Sequence, residues 1–151
     1  MYGINRPGSG SALIANNTIT YNTTSASLIY WFGGGGIYVT GNATDTVTLA
    51  NNIVAYNKYD GIYRYQNYVT ISMYKNCVYE NRDINNALAN YINITSYGTN
   101  FAADPKLSTP YFAWQIQIGS SCINTADTNY APNSDIEGRP RNTPDVGCYE
   151  Y

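Results

Sequence analysis

The chain has 151 residues, with eight Lys plus Arg against ten Asp plus Glu, a net charge of −2 and no histidine. That length suits one domain, and the missing imidazole removes Ser/His/Asp triads, Cys/His dyads and His-ligated zinc or iron sites. Without a basic excess there is no electrostatic footprint for nucleic acid or an anionic membrane, and no run reaches the 18 or so apolar residues of a membrane span.

Tyrosine (17 residues), asparagine (20) and threonine (15) dominate, while charged residues make up 12%. This is the composition of a β-rich, polar but weakly charged protein. Residues 1 to 10 have no apolar core like that of a signal peptide. A repeat then begins. Ala15-Asn16-Asn17-Thr18-Ile19-Thr20-Tyr21-Asn22 aligns without gaps with Ala50-Asn51-Asn52-Ile53-Val54-Ala55-Tyr56-Asn57 and with Tyr74-Lys75-Asn76-Cys77-Val78-Tyr79-Glu80-Asn81, at spacings of 35 and 24. Gly36-Ile37-Tyr38-Val39 matches Gly61-Ile62-Tyr63-Arg64 at a spacing of 25. The unit is therefore about 24 residues, once with an insertion of about eleven, and a fixed period of this size marks a stacked repeat.

Within each unit the apolar residues alternate with polar ones, the period of half-buried strands. Stacking the units places Ala12, Val47 and Ile71 in one column, Ile14, Leu49 and Met73 in a second, and Ile19, Val54 and Val78 in a third, all directed inward. Asn17, Asn52 and Asn76 form one polar column, and Asn22, Asn57 and Asn81 another. Coils about 4.8 Å apart let identical amides hydrogen-bond from one coil to the next, and asparagine also tolerates the left-handed backbone of a sharp corner.

The Asn-Asn-x-x-x-x-Asn pattern followed by Gly-Ile-Tyr resembles the right-handed parallel β-helix repeat of the pectate-lyase-like superfamily. The tail carries further likeness. Gly98-Thr99-Asn100-Phe101-Ala102-Ala103-Asp104-Pro105-Lys106-Leu107, Gly119-Ser120-Ser121-Cys122-Ile123, Asp135-Ile136-Glu137-Gly138-Arg139-Pro140-Arg141 and Asp145-Val146-Gly147-Cys148-Tyr149-Glu150 resemble the closing segment of choice-of-anchor Q proteins. The resemblance covers about residues 10 to 151. It implies an all-β, right-handed parallel β-helix of about three coils in a single domain, with coils over residues 10 to 97 and an irregular C-terminal cap over 98 to 151. In that fold strand one spans residues 36 to 39 and 61 to 64, strand two 46 to 49 and 69 to 73, and strand three 52 to 56 and 76 to 79. The period fades from about Asn85, and an extended strand is expected over residues 112 to 118. The cap is expected to cover the C-terminal end of the stack and to leave the N-terminal end open.

The same resemblance implies an extracellular or cell-surface setting and a polysaccharide or cell-surface glycan as partner. It also implies a Cys122–Cys148 disulfide within the cap, which an oxidising compartment permits. Cys77 alternates with the inward Asn76 and Val78, so it faces outward or lies at a corner. Asn16, Asn22, Asn42 and Asn93 open Asn-x-Ser/Thr sequons and are possible glycosylation sites.

Tyr38 and Tyr63 share an outward column of strand one, with Arg64 and Tyr65 beside them, Tyr59 and Asp60 on the adjoining loop, and Tyr30 and Trp31 on the glycine-flanked insertion. These eight residues are the candidate binding set. They read either as a glycan-binding groove or as a stabilising aromatic ladder. Lyases of this fold hold calcium with clustered acids and remove a proton with a basic group, whereas hydrolases flank the scissile bond with paired carboxylates. Here tyrosines occupy the strand-one column where acids are expected, so no catalytic residue, metal or cofactor is assigned. The expected function is a non-catalytic glycan-binding or surface-attachment module. The alternatives are a fragment of a polysaccharide lyase or glycoside hydrolase, and a structural subunit stacking head to tail into filaments.

Overall fold

The computed structural model describes residues 2–4, 10–23, 35–65, 68–83, 85–94, 96, 98–108 and 114–151, with only the backbone considered for residues 2–4. The described residues contain ten strands and no helix: β1 Tyr2–Ile4, β2 Ser11–Ala15, β3 Thr18–Thr20, β4 Ile37–Val39, β5 Thr46–Ala50, β6 Ile53–Ala55, β7 Ile62–Arg64, β8 Thr70–Tyr74, β9 Cys77–Tyr79 and β10 Tyr91–Ile92. They form three parallel sheets, ordered β1-β4-β7-β10, β2-β5-β8 and β3-β6-β9. Each of three coils contributes one strand to each sheet, and β10 adds a fourth rung to the first, which is the parallel β-helix arrangement.

The register is the one read from the repeat. Val47 pairs with Ala12 and Ile71, Leu49 with Ile14 and Met73, and Val54 with Ile19 and Val78. Ile37, Val39, Leu49, Val54, Ile62 and Val78 are fully buried and share one apolar cluster with Val47, Val69, Met73 and Ile94. Burying each such side chain favours the fold by about 1.5–3 kcal/mol, so the interior columns are the main source of stability.

Strands of two to five residues are short because the chain turns sharply, as at both ends of the third sheet. The left-handed residues that make these turns are Asn16, Asn51 and Lys75 (φ 53°, 57° and 54°) and Tyr21, Tyr56 and Glu80 (φ 53°, 57° and 48°). They stand one position before the ladder asparagines, which do not themselves adopt positive φ. The expectation that the ladder residues supply the left-handed corner is thus corrected. A left-handed residue bends the path, and the asparagine after it secures the bend.

In the first ladder Asn52 Nδ2 donates to Asn76 Oδ1 at 2.8 Å and to the Ile14 carbonyl at 2.9 Å, while its Oδ1 accepts from Asn17. Asn57 is held in the same way between Asn22 and Asn81, with a further bond to the Ile19 carbonyl. Both ladders run further than the repeat suggested. Asn76 donates to Asn100, one full period on, and Asn81 donates to Asn90, which a nine-residue excursion returns to the stack. The strand-one sheet also gains a rung at each end, β1 and β10, where the sequence period was too weak to assign one. Gly36 and Gly61 recur because the coils approach closely there. A Cβ on Gly36 would lie 2.2 Å from the Gly61 carbonyl oxygen and 2.8 Å from Val54 Cγ1.

The irregular tail packs along the side of the stack, over the outward face of the third sheet. It leaves the fourth rung where Phe101 bridges to Cys77, and it finishes beside the first coil, where the Cys148 N–H donates to Thr18 Oγ1. Between these points Asn51 exchanges side-chain bonds with the Asp127 backbone, Asn16 Nδ2 donates to the Asp145 and Gly147 carbonyls, and Tyr130 stacks on Tyr74 at 5.0 Å. The tail thereby buries the outward side chains Ile53, Ala55 and Cys77 under Ile116, Cys122 and Val146. Cys77 does point away from the coil interior, as expected, but onto this covered face. In place of a strand over residues 112 to 118, Leu107 and Ile116 make one antiparallel bridge; residues 109–113 lie outside the described set.

All three cysteines are free thiols, so the expected Cys122–Cys148 bridge is not made. The turn around Gly147 sets Cys148 beside Thr18, whereas Cys122 packs with Cys77 in the covered apolar cluster, where the Cys77 thiol donates to the Ala103 carbonyl at 3.1 Å. Arg141 ties the tail together from within. Its Nη1 donates to Glu150 Oε1 at 2.5 Å and to the Asp145 carbonyl at 2.9 Å, and its Nη2 donates to the Gly147 carbonyl at 2.9 Å.

Candidate functional site

The outward face of the strand-one sheet carries a stacked set of tyrosines. Tyr38 and Tyr63, paired in register on β4 and β7, have ring centroids 5.5 Å apart and planes within 5°, and Tyr65 lies 6.1 Å from Tyr38 at 27°. Such stacking favours the fold by about 0.5–1.5 kcal/mol per pair. It also covers the facing ring surfaces with one another, leaving edges and phenol hydroxyls as the main outward groups. Burial pushes the Tyr38 and Tyr63 phenols above their ordinary values, helped by neighbouring tyrosines and, for Tyr63, by the Asp60 charge. Both remain hydrogen-bond donors at neutral pH.

A second tyrosine set stands at the end of the third sheet. Tyr21 stacks on Tyr56 at 5.1 Å, Tyr79 meets Tyr56 edge-on at 5.8 Å, and Trp114 leans on Tyr21 at 6.4 Å. The Tyr56 hydroxyl donates to Asp104 Oδ1 at 2.8 Å. The chain passes from Tyr56 to Tyr63 through a corner whose backbone is left-handed at both Tyr59 and Asp60, φ 70° and 75°. Lys58 and Arg82 bridge in parallel across this corner. Beside them opens a groove of about 490 Å³, lined by Tyr56, Asn57, Lys58, Glu80, Arg82, Asp83 and Asn86.

Charge in the groove is mixed. Arg82 is ion-paired with Glu80, while exposed Lys58 holds its Nζ 5.5 Å from the centre of the Tyr59 ring. Asp60 is buried, and desolvation, followed by the nearby Asp83 charge, raises its carboxyl above the ordinary range. Asp83 is committed to local structure, because its Oδ1 accepts from the Asn85 and Ala87 N–H groups at 2.8 Å.

The fold thus brings Tyr38, Tyr63 and Tyr65 together and sets Tyr59 and Asp60 on the adjoining corner. Arg64 is drawn into structure: its Nε donates to the Asn93 carbonyl at 2.9 Å and its Nη1 to the Val69 carbonyl at 3.4 Å. Tyr30 and Trp31 lie outside the described residues. Of the sequon asparagines, Asn16, Asn22 and Asn93 use Nδ2, the atom a glycan would occupy, to hold the tail, the ladder and the Arg64 carbonyl respectively. Asn42 is exposed. Tyr56, Tyr21 and Asn86 were outside the expected binding set, although the Tyr21/Tyr56 column was present in the repeat alignment. Among the described residues no group of three or more Cys, Asp or Glu side chains could hold a metal ion, and no helix is long and apolar enough to cross a membrane.

Fold and surface together define a parallel β-helix repeat protein with hydrogen-bonded asparagine stacks and clustered tyrosines. No protein-family model, curated protein or solved structure matches the chain.

Proposed function

We propose that this protein is a non-catalytic, extracellular β-helix module that binds polysaccharide at the corner between its two tyrosine sets. The observation that carries this reading is the open groove in which the Tyr56 ring adjoins Lys58, Arg82, Asp83 and Asn86. Aromatic surface with a few hydrogen-bonding groups is the composition that recognises a sugar chain, whose rings are apolar on their faces and polar at their rims. The covered faces of the Tyr38–Tyr63 stack favour edge and hydroxyl contacts on the adjoining sheet over ring stacking.

The test is a binding titration against neutral and acidic polysaccharides, run beside an assay for new reducing or unsaturated ends. Binding without turnover, weakened about tenfold by Lys58→Ala, is the expected result. Absence of binding to every polymer refutes the proposal. Turnover abolished by Asp60→Asn or Asp83→Asn replaces it with the second reading, part of a polysaccharide-cleaving enzyme, which the raised Asp60 carboxyl favours.

A further inference from the structure

We propose that Cys77 and Cys122 are a disulfide-forming pair that locks the tail onto the third sheet. The two residues come from independent parts of the molecule. Cys77 opens β9 on the covered face of the coil, and Cys122 lies in the tail segment laid over it. Both are fully buried in the cluster that contains Ile53, Ala55, Ile116 and Val146. Packing in that one cluster sets the two thiols beside each other, and the Cys77 thiol donates to the Ala103 carbonyl at 3.1 Å. Each residue is held by its backbone on both sides of that contact: the Cys77 N–H donates to the Asn52 carbonyl at 2.8 Å, the Cys122 N–H to Ser120 Oγ at 3.1 Å, and the Val146 N–H to the Cys122 carbonyl at 3.0 Å. The third cysteine does not compete for this position, since Cys148 lies beside Thr18, two strands away from Cys77 across Ile53.

The reaction requires a disulfide oxidant, such as oxidised glutathione. One cysteine thiolate attacks a sulfur of the oxidant and expels one low-molecular-weight thiolate. The second cysteine thiolate attacks the mixed disulfide at the protein sulfur and expels the other. Two electrons pass to the oxidant, the two thiol protons are released, and one S–S bond joins residues 77 and 122. Contact with Cys77 and burial both raise the Cys122 thiol, so exchange in the closed molecule is slow. The bond is made while the tail is undocked, during folding or a local opening, and docking then shields it. The link would fasten the tail at the middle of its contact with the coils.

The chain is expressed in an oxidising periplasm, and a second sample is denatured, reduced and refolded in glutathione buffer. Both are alkylated and digested without reduction for peptide mass mapping. The expected map joins the Cys77 and Cys122 peptides and leaves one alkylated cysteine, Cys148. Cys148→Ser keeps the cross-link, and Cys77→Ser leaves Cys122 alkylated. The melting midpoint falls by roughly 5–10 °C when the link is reduced. A Cys122–Cys148 or Cys77–Cys148 peptide, or three alkylated thiols in both samples, overturns the proposal. The periplasmic sample gives this answer even if refolding fails.

Discussion

Replacing Asn52 by alanine tests whether the asparagine stack stabilises the coils or merely accompanies them. Asn52 is fully buried, and its side chain donates two hydrogen bonds, to Ile14 O and Asn76 Oδ1, and accepts two, from the N–H and the Nδ2 of Asn17. After Asn52→Ala, Asn76 Oδ1 still accepts from the residue-52 N–H at 3.0 Å, and Asn17 Nδ2 still reaches the Ala15 carbonyl at 2.9 Å. The Asn17 N–H, however, loses its side-chain acceptor, and the Ile14 carbonyl loses a donor. The orphaned N–H costs about 1–3 kcal/mol and the lost bond to the Ile14 carbonyl about 0.5–1.5 kcal/mol, for a total of about 3 kcal/mol. That is a large share of the roughly 5–15 kcal/mol that holds a domain folded. Asn22→Ala, which removes one donated bond at the end of its ladder, should cost only about 1 kcal/mol. Urea unfolding followed by far-ultraviolet circular dichroism and by tyrosine fluorescence measures both, provided that the two signals coincide and the slope is unchanged. A loss below about 1 kcal/mol for Asn52→Ala, or equal losses at both positions, would refute the argument that buried ladder bonds hold the coils together.

Three further outcomes follow from the packing and the charges. Arg141→Ala leaves the Glu150 carboxylate without its buried partner and frees two tail carbonyls; a loss of about 3–5 kcal/mol and faster proteolysis within residues 120 to 151 are expected, and unchanged cleavage would contradict the bracing role. Gly36→Ala drives a methyl group into the Gly61 carbonyl and should lower stability by at least about 1–3 kcal/mol in the same urea assay. For Asp60 the sign is opposite to that of a paired carboxylate. Its pKa is raised in the folded chain, so stability is greatest below the ordinary value of 3.8 and falls as pH rises through the raised value. Asp60→Asn should therefore match the parent near pH 3 and exceed it at pH 7, and parallel pH profiles would show that the burial of this carboxyl has been misjudged.

How much was legible beforehand depended on whether the residues repeat. Val54 over Val78, Leu49 over Met73 and Asn52 over Asn76 were readable because each coil faces the same environment as the one beneath it, so the same residue type recurs at the same phase. The candidate site was half legible for the same reason. The Tyr38/Tyr63 column lies in the repeat, whereas the groove needs Asn86 and Trp114 lies against Tyr21, both from segments without a period. Asp60 and Asp83 share no sequence column, yet the corner brings them close enough for one charge to shift the other.

Sequence alone determined the three-sheet coil, its register and its inward columns, because stacked parallel strands write their spacing into every turn of the chain. Tertiary structure alone decided the course of the tail and the surroundings of Cys122. No period constrains residues 102 to 151, and their placement follows from which outward face offered apolar surface to cover. That face was Ile53, Ala55 and Cys77. In the strand pattern these residues carry the outward phase, and only the tail laid over them makes them core.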